Sequence, residues 1–407
     1  MDRRNKKKQK LSKSQVIASP SPSEEESQND NAALDLTCEV IASPSPSKEE
    51  ELREAMKKQN DAALDLTRKV IASEARHSNF VFSPASISAA LAMMAAGNGS
   101  GSEELNAVYS EIATVAFADG SASGGPKISV VNGVWVEQSF PVDQSLKDLF
   151  ENVFKATFAQ VDFIYKAEEL RIELNKWASD HTNGLIKDIL PPGSVDSQTQ
   201  QVYGNALYFK GAWKDQFEKS LTKVDEFHLL NGKPVRVPFM RSYERQYIEV
   251  YDGFKVLALP YRQGRDGGTN RKFSMYFYLP DKKDGLDNLL EEMTSTPGFL
   301  DSHTPKDKVL VGDFRIPKFK FSFKFEASRV LEGDVLATMY HQACVEIDEE
   351  GAEAAAVTCV RMAGCRILKP PPPKKVDFVA DHPFIFLIRE DKTGTVLFSG
   401  QIYNPSS

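Results

Sequence analysis

Cysteine is scarce in this chain and badly spaced for a framework. Of 407 residues only Cys38, Cys344, Cys359 and Cys365 are cysteine, which excludes a disulfide-stapled secreted scaffold and leaves reduced thiols in an intracellular compartment as the simplest expectation. The opening MDRRNKKKQK has no apolar stretch behind its charges, so it does not read as a secretory leader. No apolar run approaches the roughly 20 residues of a membrane-spanning helix, and no membrane partner is expected. The net charge of -7 argues against a general nucleic-acid binder, which needs a basic surface.

Catalytic signatures are lacking too. The histidines stand at 77, 181, 228, 303, 341 and 382 and form no His-Glu-x-x-His pair. Gly97–Gly101 is rich in glycine but has neither the lysine of a phosphate loop nor the full dinucleotide fingerprint. No Gly-x-Ser-x-Gly elbow occurs. Asp381-His382 reads as a polar pair at a turn before Pro383 in preference to part of a triad. No cofactor, metal or enzymatic activity is expected.

What is present is an ordinary globular composition, 41% hydrophobic and 26% charged, with enough apolar residues for a large core. The first part is different. VIAS occurs at Val16, Val40 and Val70, SPSPS follows the first two copies, and AALDLT occurs at Ala32 and Ala62. Residues 1–58 therefore read as an extension, disordered by composition, made by duplicating the first helix of the domain that follows at 59–407. Arg3, Arg4, Lys6, Lys7, Lys8 and Lys10 make a compact basic run. It reads either as a nuclear import signal or as a solvated tail, which places the chain in the nucleus, the cytoplasm or both.

From Gln59 onward helices and strands mix without strict alternation and without a linker, which predicts one large α+β domain. Ala62–Ser73 is amphipathic at helical spacing. Ser83 and Pro84 cap and open a buried helix over Ile87–Ala96. Leu170–Leu190 contains a helix ended by Pro191-Pro192. Ile128–Val136, Val202–Phe209, Phe273–Leu279, Phe314–Phe325, Phe384–Arg389 and Val396–Ile402 read as strands. Between the strand-like Cys344–Asp348 and the tetraproline Pro370–Pro373 lies EEGAEAAAVTCVRMAGCR, a run of small residues.

Several separated motifs carry a family resemblance. They are Asn79-Phe-Val-Phe-Ser-Pro84, Asn132-Gly-Val-Trp135, Asn175-x-Trp177 with Thr182-Asn-Gly184, and Asn205-Ala-Leu-Tyr-Phe-Lys-Gly211 with Trp213 and Phe217. Pro317-Lys-Phe319, the hinge Glu349-Glu-Gly-x-Glu-Ala-Ala-Ala356 and Phe378-Val-Ala-Asp-His-Pro-Phe384 complete the set. In this order, from about Gln59 to Pro405, the chain resembles the serpins, and the plant serpins of the Z type in particular.

The resemblance implies three β-sheets, eight or nine helices and an exposed reactive-centre loop over 351–375. It implies a suicide inhibitor of serine proteases, with papain-like cysteine proteases as a second class of target, acting as a monomer. The protease cuts the loop, and the freed strand enters the main sheet before the acyl-enzyme is hydrolysed. The hinge carried over is Glu350, Gly351, Ala352, Glu353, Ala354, Ala355, Ala356, Val357 and Thr358. The reactive bond falls between Cys365 and Arg366, and either residue can be the one that enters the primary pocket of the protease.

An inserted strand alternates its faces. Ala352, Ala354, Ala356, Thr358, Val360, Met362 and Gly364 would turn inward, while Glu353 and Arg361 share the outward parity. Two segments look short for the family, 102–127 and 333–340. These leave a second reading open, a non-inhibitory serpin that is a nuclear binding or scaffold protein or is cleaved only as a substrate.

Overall fold

A computed structural model describes residues 48–97, 108–264, 271–330, 339–351 and 375–407, apart from 111, 183 and 185. The basic run, the first two repeat copies, the hinge beyond Gly351 and the Cys365–Arg366 bond lie outside the described residues.

The chain opens with helix α1 (Lys48–Ser73), strand β1 (Phe80–Phe82) and helix α2 (Pro84–Gly97). Next come β2 (Lys127–Glu137), α3 (Gln144–Asn152), β3 (Ala156–Val161), α4 (Phe163–His181) and β4 (Gln201–Lys210). A run of strands follows: β5 (Lys223–His228), β6 (Pro234–Arg241), β7 (Gln246–Val250), β8 (Phe254–Pro260) and β9 (Phe273–Pro280). After α5 (Leu286–Ser295) and α6 (Phe299–Ser302) come β10 (Lys308–Val309), β11 (Val311–Pro317), β12 (Phe319–Glu326) and β13 (Tyr340–Ile347). The last strands are β14 (Val376–Val379), β15 (Phe384–Glu390) and β16 (Val396–Ile402).

The expected α+β class is what the chain adopts. Seven strands form one sheet in the order β1-β16-β15-β9-β8-β7-β10, and β14-β11-β6-β5 form a second. The expected third sheet is divided: β3-β2-β4 is one ladder and β12-β13 another. Strands β9, β15 and β16 are buried along their whole length, as central strands covered on both faces must be.

Local chemistry explains the motifs. The Ser83 hydroxyl accepts from Ser86 N (3.1 Å), and Pro84 opens α2, whose alanine- and methionine-rich face is buried on most sides. Asn79 ties the turn before β1 to the segment that follows β16, donating to Asn404 O (2.6 Å) and accepting from Tyr403 N (2.7 Å). Asp162 caps α4, accepting from Tyr165 N at 3.0 Å. That helix lies on β2 with Trp177 edge-on to Trp135, ring centroids 4.8 Å apart.

Three sequence expectations change. Helix α1 starts at Lys48 and buries Ala55 and Met56, so the folded domain takes in residues that composition alone placed in the extension. Helix α4 stops at His181, well before Pro191. Thr182 turns its hydroxyl back on Ala178 O (2.7 Å) and receives Ile186 N (3.0 Å), and Gly184 takes a left-handed φ of 75°. Asn175 then holds the returning chain through paired bonds to the Leu190 backbone (2.8 and 2.9 Å). The run Phe314–Phe325 is two strands in different sheets, parted at Lys318, where the apolar alternation changes parity from Phe314 and Ile316 to Phe319, Phe321, Phe323 and Phe325. Strands β12 and β13, on either side of the short segment 333–340, pair antiparallel from Phe319 opposite Ile347 to Glu326 opposite Tyr340.

Candidate functional site

The divided sheet is where the hinge motif sits. Strand β4 pairs with β2, and β13 pairs with β12; each is the last strand of its ladder. The two edges face each other. Tyr340, at the start of β13, shares a pocket with Val202, Tyr203 and Asn205 of β4. At the other end Gly351 bridges Ala212, just past β4. Both strands therefore run the same way. Among the described residues no ladder joins them.

The two ends of this seam differ. Where the strands begin there is an open cleft of about 650 Å³, bordered by Leu190, Thr199, Gln201, Tyr203, Glu326 and Tyr340. Where they finish the chain is clamped. Trp213 N donates to Glu350 O (3.0 Å) and Phe217 N to Glu349 O (2.9 Å). The Trp213 indole N–H reaches Asp348 O (2.9 Å), while its ring stacks on the buried Tyr261 at 4.6 Å.

The two hinge carboxylates take part in the clamp. Glu349 is buried, accepting from Lys318 Nζ (2.7 Å) and from the Thr222 hydroxyl (2.6 Å). Burial alone would raise its pKa, but the hydrogen bonds from Lys318 and Thr222 outweigh it and hold the carboxyl below the usual range. Glu350 pairs with Lys219. The sequence marked both glutamates as hinge residues but gave no sign of their partners, which lie far away along the chain.

Past the clamp the chain reverses. Asp348 accepts from Glu350 N through its side chain (2.9 Å) and from Gly351 N through its carbonyl (3.3 Å). Gly351 has φ of 107° and makes antiparallel bridges to both Asp348 and Ala212. A Cβ there would lie 2.7 Å from Trp213 N and 2.8 Å from Ala212 Cα, so glycine is needed for space as well as for its torsion. At Gly351 the chain thus runs antiparallel to the segments just past the ends of β13 and β4.

Below the seam lies a polar core. Asn132 donates to Tyr109 OH (2.9 Å) and Phe154 O (2.7 Å), and Asn205 donates to Asn132. On β13, His341 is buried and its Nε2 accepts from Ser83 N at 3.0 Å. Burial lowers its pKa to about 3, so the imidazole is neutral. Nothing in the sequence singled out this histidine. Alternation along Tyr340–Ile347, with His341, Ala343, Val345 and Ile347 on the core face, was the available signal.

The Asp381-His382 pair does come together (2.8 Å), but the other ring nitrogen is held at the Pro280 carbonyl (2.7 Å), leaving none for a substrate. Of the four cysteines only Cys344 is described. It is free, and burial pushes its thiol pKa up.

Comparison with known proteins agrees with this arrangement. The family model described as "Serpin (serine protease inhibitor)" matches residues 57–336 and 332–405. Serpin-Z2 of Arabidopsis thaliana is 59% identical over 88% of this chain and 91% of its own length. An Arabidopsis thaliana protein named "Probable non-inhibitory serpin-Z5" is 57% identical over 100% of this chain and 94% of its own. Among solved structures, Arabidopsis AtSerpin1 in its native stressed conformation superposes with a TM-score of 0.77 at 43% identity, covering 88% of this chain and 99% of that one. Uncleaved ovalbumin, at 22% identity and a TM-score of 0.69, shares the fold.

Proposed function

The chain belongs to the serpin family, of the plant serpin-Z type, and from that premise we propose that it is a suicide inhibitor of serine proteases that works by inserting its own loop between β4 and β13. The observation that supports this reading is the turn at Asp348–Gly351, which reverses the chain at one end of a seam whose two edges share no ladder among the described residues. Serpin loop insertion is a standing example of strand addition to a sheet.

In this reading a protease attacks the Cys365 carbonyl. The Cys365–Arg366 peptide bond breaks, the Arg366 amine leaves with a proton, and the carbonyl remains esterified to the protease serine, or thioesterified to a cysteine. If attack falls one residue later, Arg366 becomes the acyl residue and an arginine-directed protease is the target. Residues 351–365, extended at about 3.3 Å each, reach roughly 50 Å, against roughly 33 Å for the ten residues of β4. The freed strand is thus long enough to fill the seam. Its inward face would be Ala352, Ala354, Ala356, Thr358, Val360, Met362 and Gly364, which brings no charge into the core.

A second reading has its own support. The relative aligned over this entire chain is named probable non-inhibitory, and the link between β12 and β13 is short. A non-inhibitory serpin acting as a binding protein, with the basic run Arg3–Lys10 as a nuclear address, would fit both. One experiment separates the two. Incubation with trypsin-like and papain-like proteases should give an SDS-stable adduct, and Ala354→Arg should abolish it while loop cleavage continues. Quantitative cleavage with full recovery of protease activity would remove the inhibitory reading.

A further inference from the structure

Two buried histidines of this chain face opposite chemistry. The Nε2 of His341 accepts from the Ser83 N–H, so that ring carries a bare nitrogen. The ring of His382 meets acceptors at both ends: Nδ1 lies 2.8 Å from Asp381 Oδ1, and Nε2 lies 2.7 Å from the Pro280 carbonyl. A backbone carbonyl cannot donate, and neither can an ionised carboxylate. Burial alone would raise the Asp381 pKa, but the bond from His382, with Lys283 and His228 nearby, outweighs it and holds the carboxyl below the usual range. Both contacts are therefore hydrogen bonds only when each ring nitrogen carries a proton. The other charged groups around the site are accounted for. His228 Nε2 lies 3.7 Å from Asp381 Oδ2, and Asp281, next to Pro280, pairs with Lys255 at 3.1 Å.

The position of this ring in the fold gives its second proton a mechanical role. Strand β14 is four residues long and pairs on one side only, with β11. An edge strand this short opens easily unless its ends are fixed. Just past Val379 the chain is tied three times. Ala380 N donates to Arg315 O on β11 (2.9 Å), His228 N on β5 donates to Asp381 O (2.7 Å), and His382 reaches Pro280 at the end of β9. The first two ties stay within the second sheet. Only the imidazole crosses to the seven-stranded one.

We propose that His382 stands as an imidazolium whose two N–H groups staple the end of β14 to the seven-stranded sheet, and that rising pH releases the staple. Loss of either ring proton sets a lone pair against an oxygen, so one of the two bonds fails inside a buried site. A ring bare at Nδ1 repels the Asp381 carboxylate. One bare at Nε2 lets go of Pro280 and with it the link between the sheets. The folded chain holds the proton in bonds that the unfolded chain lacks, so this contribution is complete on the acid side and is lost as pH rises. Its sense is opposite to that of His341.

The direct test is the ring nitrogen NMR spectrum of the full chain labelled at histidine, with the His382 signals identified by their loss in His382→Gln. Two protonated ring nitrogens are expected for His382 and one bare nitrogen for His341. A neutral His382 ring at about pH 6 would overturn the proposal. The consequence is read from the Tm between about pH 6 and 9. Over that range the wild type should lose on the order of 2 °C or more relative to His382→Arg, whose side chain keeps its donors at every pH. Amide exchange at Val376 and Ala380 should quicken with it, beyond the ordinary rise with pH, and should not do so in His382→Arg. His228→Gln should keep the wild-type slope; a slope lost in that variant would assign the proton to the other imidazole. Equal slopes in the wild type and His382→Arg would mean that the ring does not act as a staple.

Discussion

The seven-stranded sheet and the divided sheet are built from similar residues yet end in opposite states. In the first, β9 is paired on both sides, with β8 and β15, and β15 is paired on both sides, with β9 and β16. Every side chain of these central strands is buried, and their ladder groups have partners. In the second, β4 and β13 are each half-paired, share no ladder among the described residues, are bridged near Gly351, and border an open cleft at their starts. A finished sheet gains nothing from another strand. An unfinished one leaves a row of backbone donors and acceptors whose best partner is a further strand, and such edges normally have to be blunted or covered. In the proposed mechanism the cut loop is the strand that would cover them.

The largest effect should come from cutting the loop. If roughly ten new ladder bonds form at about 0.5–1.5 kcal/mol each, the nicked chain gains roughly 5–15 kcal/mol. Guanidinium unfolding of cut and uncut protein measures this directly, and an unchanged midpoint would mean that the seam does not accept the strand. The finished sheet supplies the control: Leu387→Ala on β15 should cost about 2–5 kcal/mol in both forms, leaving their difference intact.

A smaller effect is expected at the clamp. Gly351→Ala forces a Cβ into the backbone of Ala212 and Trp213 at a left-handed φ, which should cost about 1–3 kcal/mol. The urea midpoint of the uncut protein should fall. Gly394→Ala, at another positive φ but on the turn between β15 and β16, should lower stability without altering the rate of loop insertion.

The gentlest probe is pH. His341 has its folded pKa lowered to about 3, so its contribution is complete above the unfolded value near 6.5 and declines as pH falls from there toward 3. The decline is at most about 1.4 kcal/mol for each pH unit. Glu349, with its pKa also held low, adds its own loss only at more acid pH, through the carboxylate range. His341→Gln should flatten the slope between pH 6 and 4, as read by denaturant midpoints across that range. An unchanged slope would show that the buried imidazole is not what couples β13 to acid.

Much of this was legible in the residues. Ile128–Val136 and Val396–Ile402 stand out as strands because long apolar runs without helical spacing have few alternatives. Ser83-Pro84 announces α2 through capping chemistry that acts within one turn. The sequence reading failed where the deciding contact was distant. Lys48–Lys58 looks like charged extension until Ala55 and Met56 find a core to enter. Phe314–Phe325 reads as one apolar run, although its parity shifts at Pro317-Lys318, and the folded chain sends its halves into two sheets.

The residues alone fixed the family and the order of most elements, since each follows from motifs, torsions and periodicity along a local stretch. Only the folded chain decided that the main sheet would stand divided, that Lys318, Lys219 and Thr222 would hold Glu349 and Glu350, and that Gly351 would bridge Ala212 and Asp348. Those outcomes depend on groups separated along the chain by up to more than a hundred residues meeting within hydrogen-bond distance, and no local pattern encodes such a meeting.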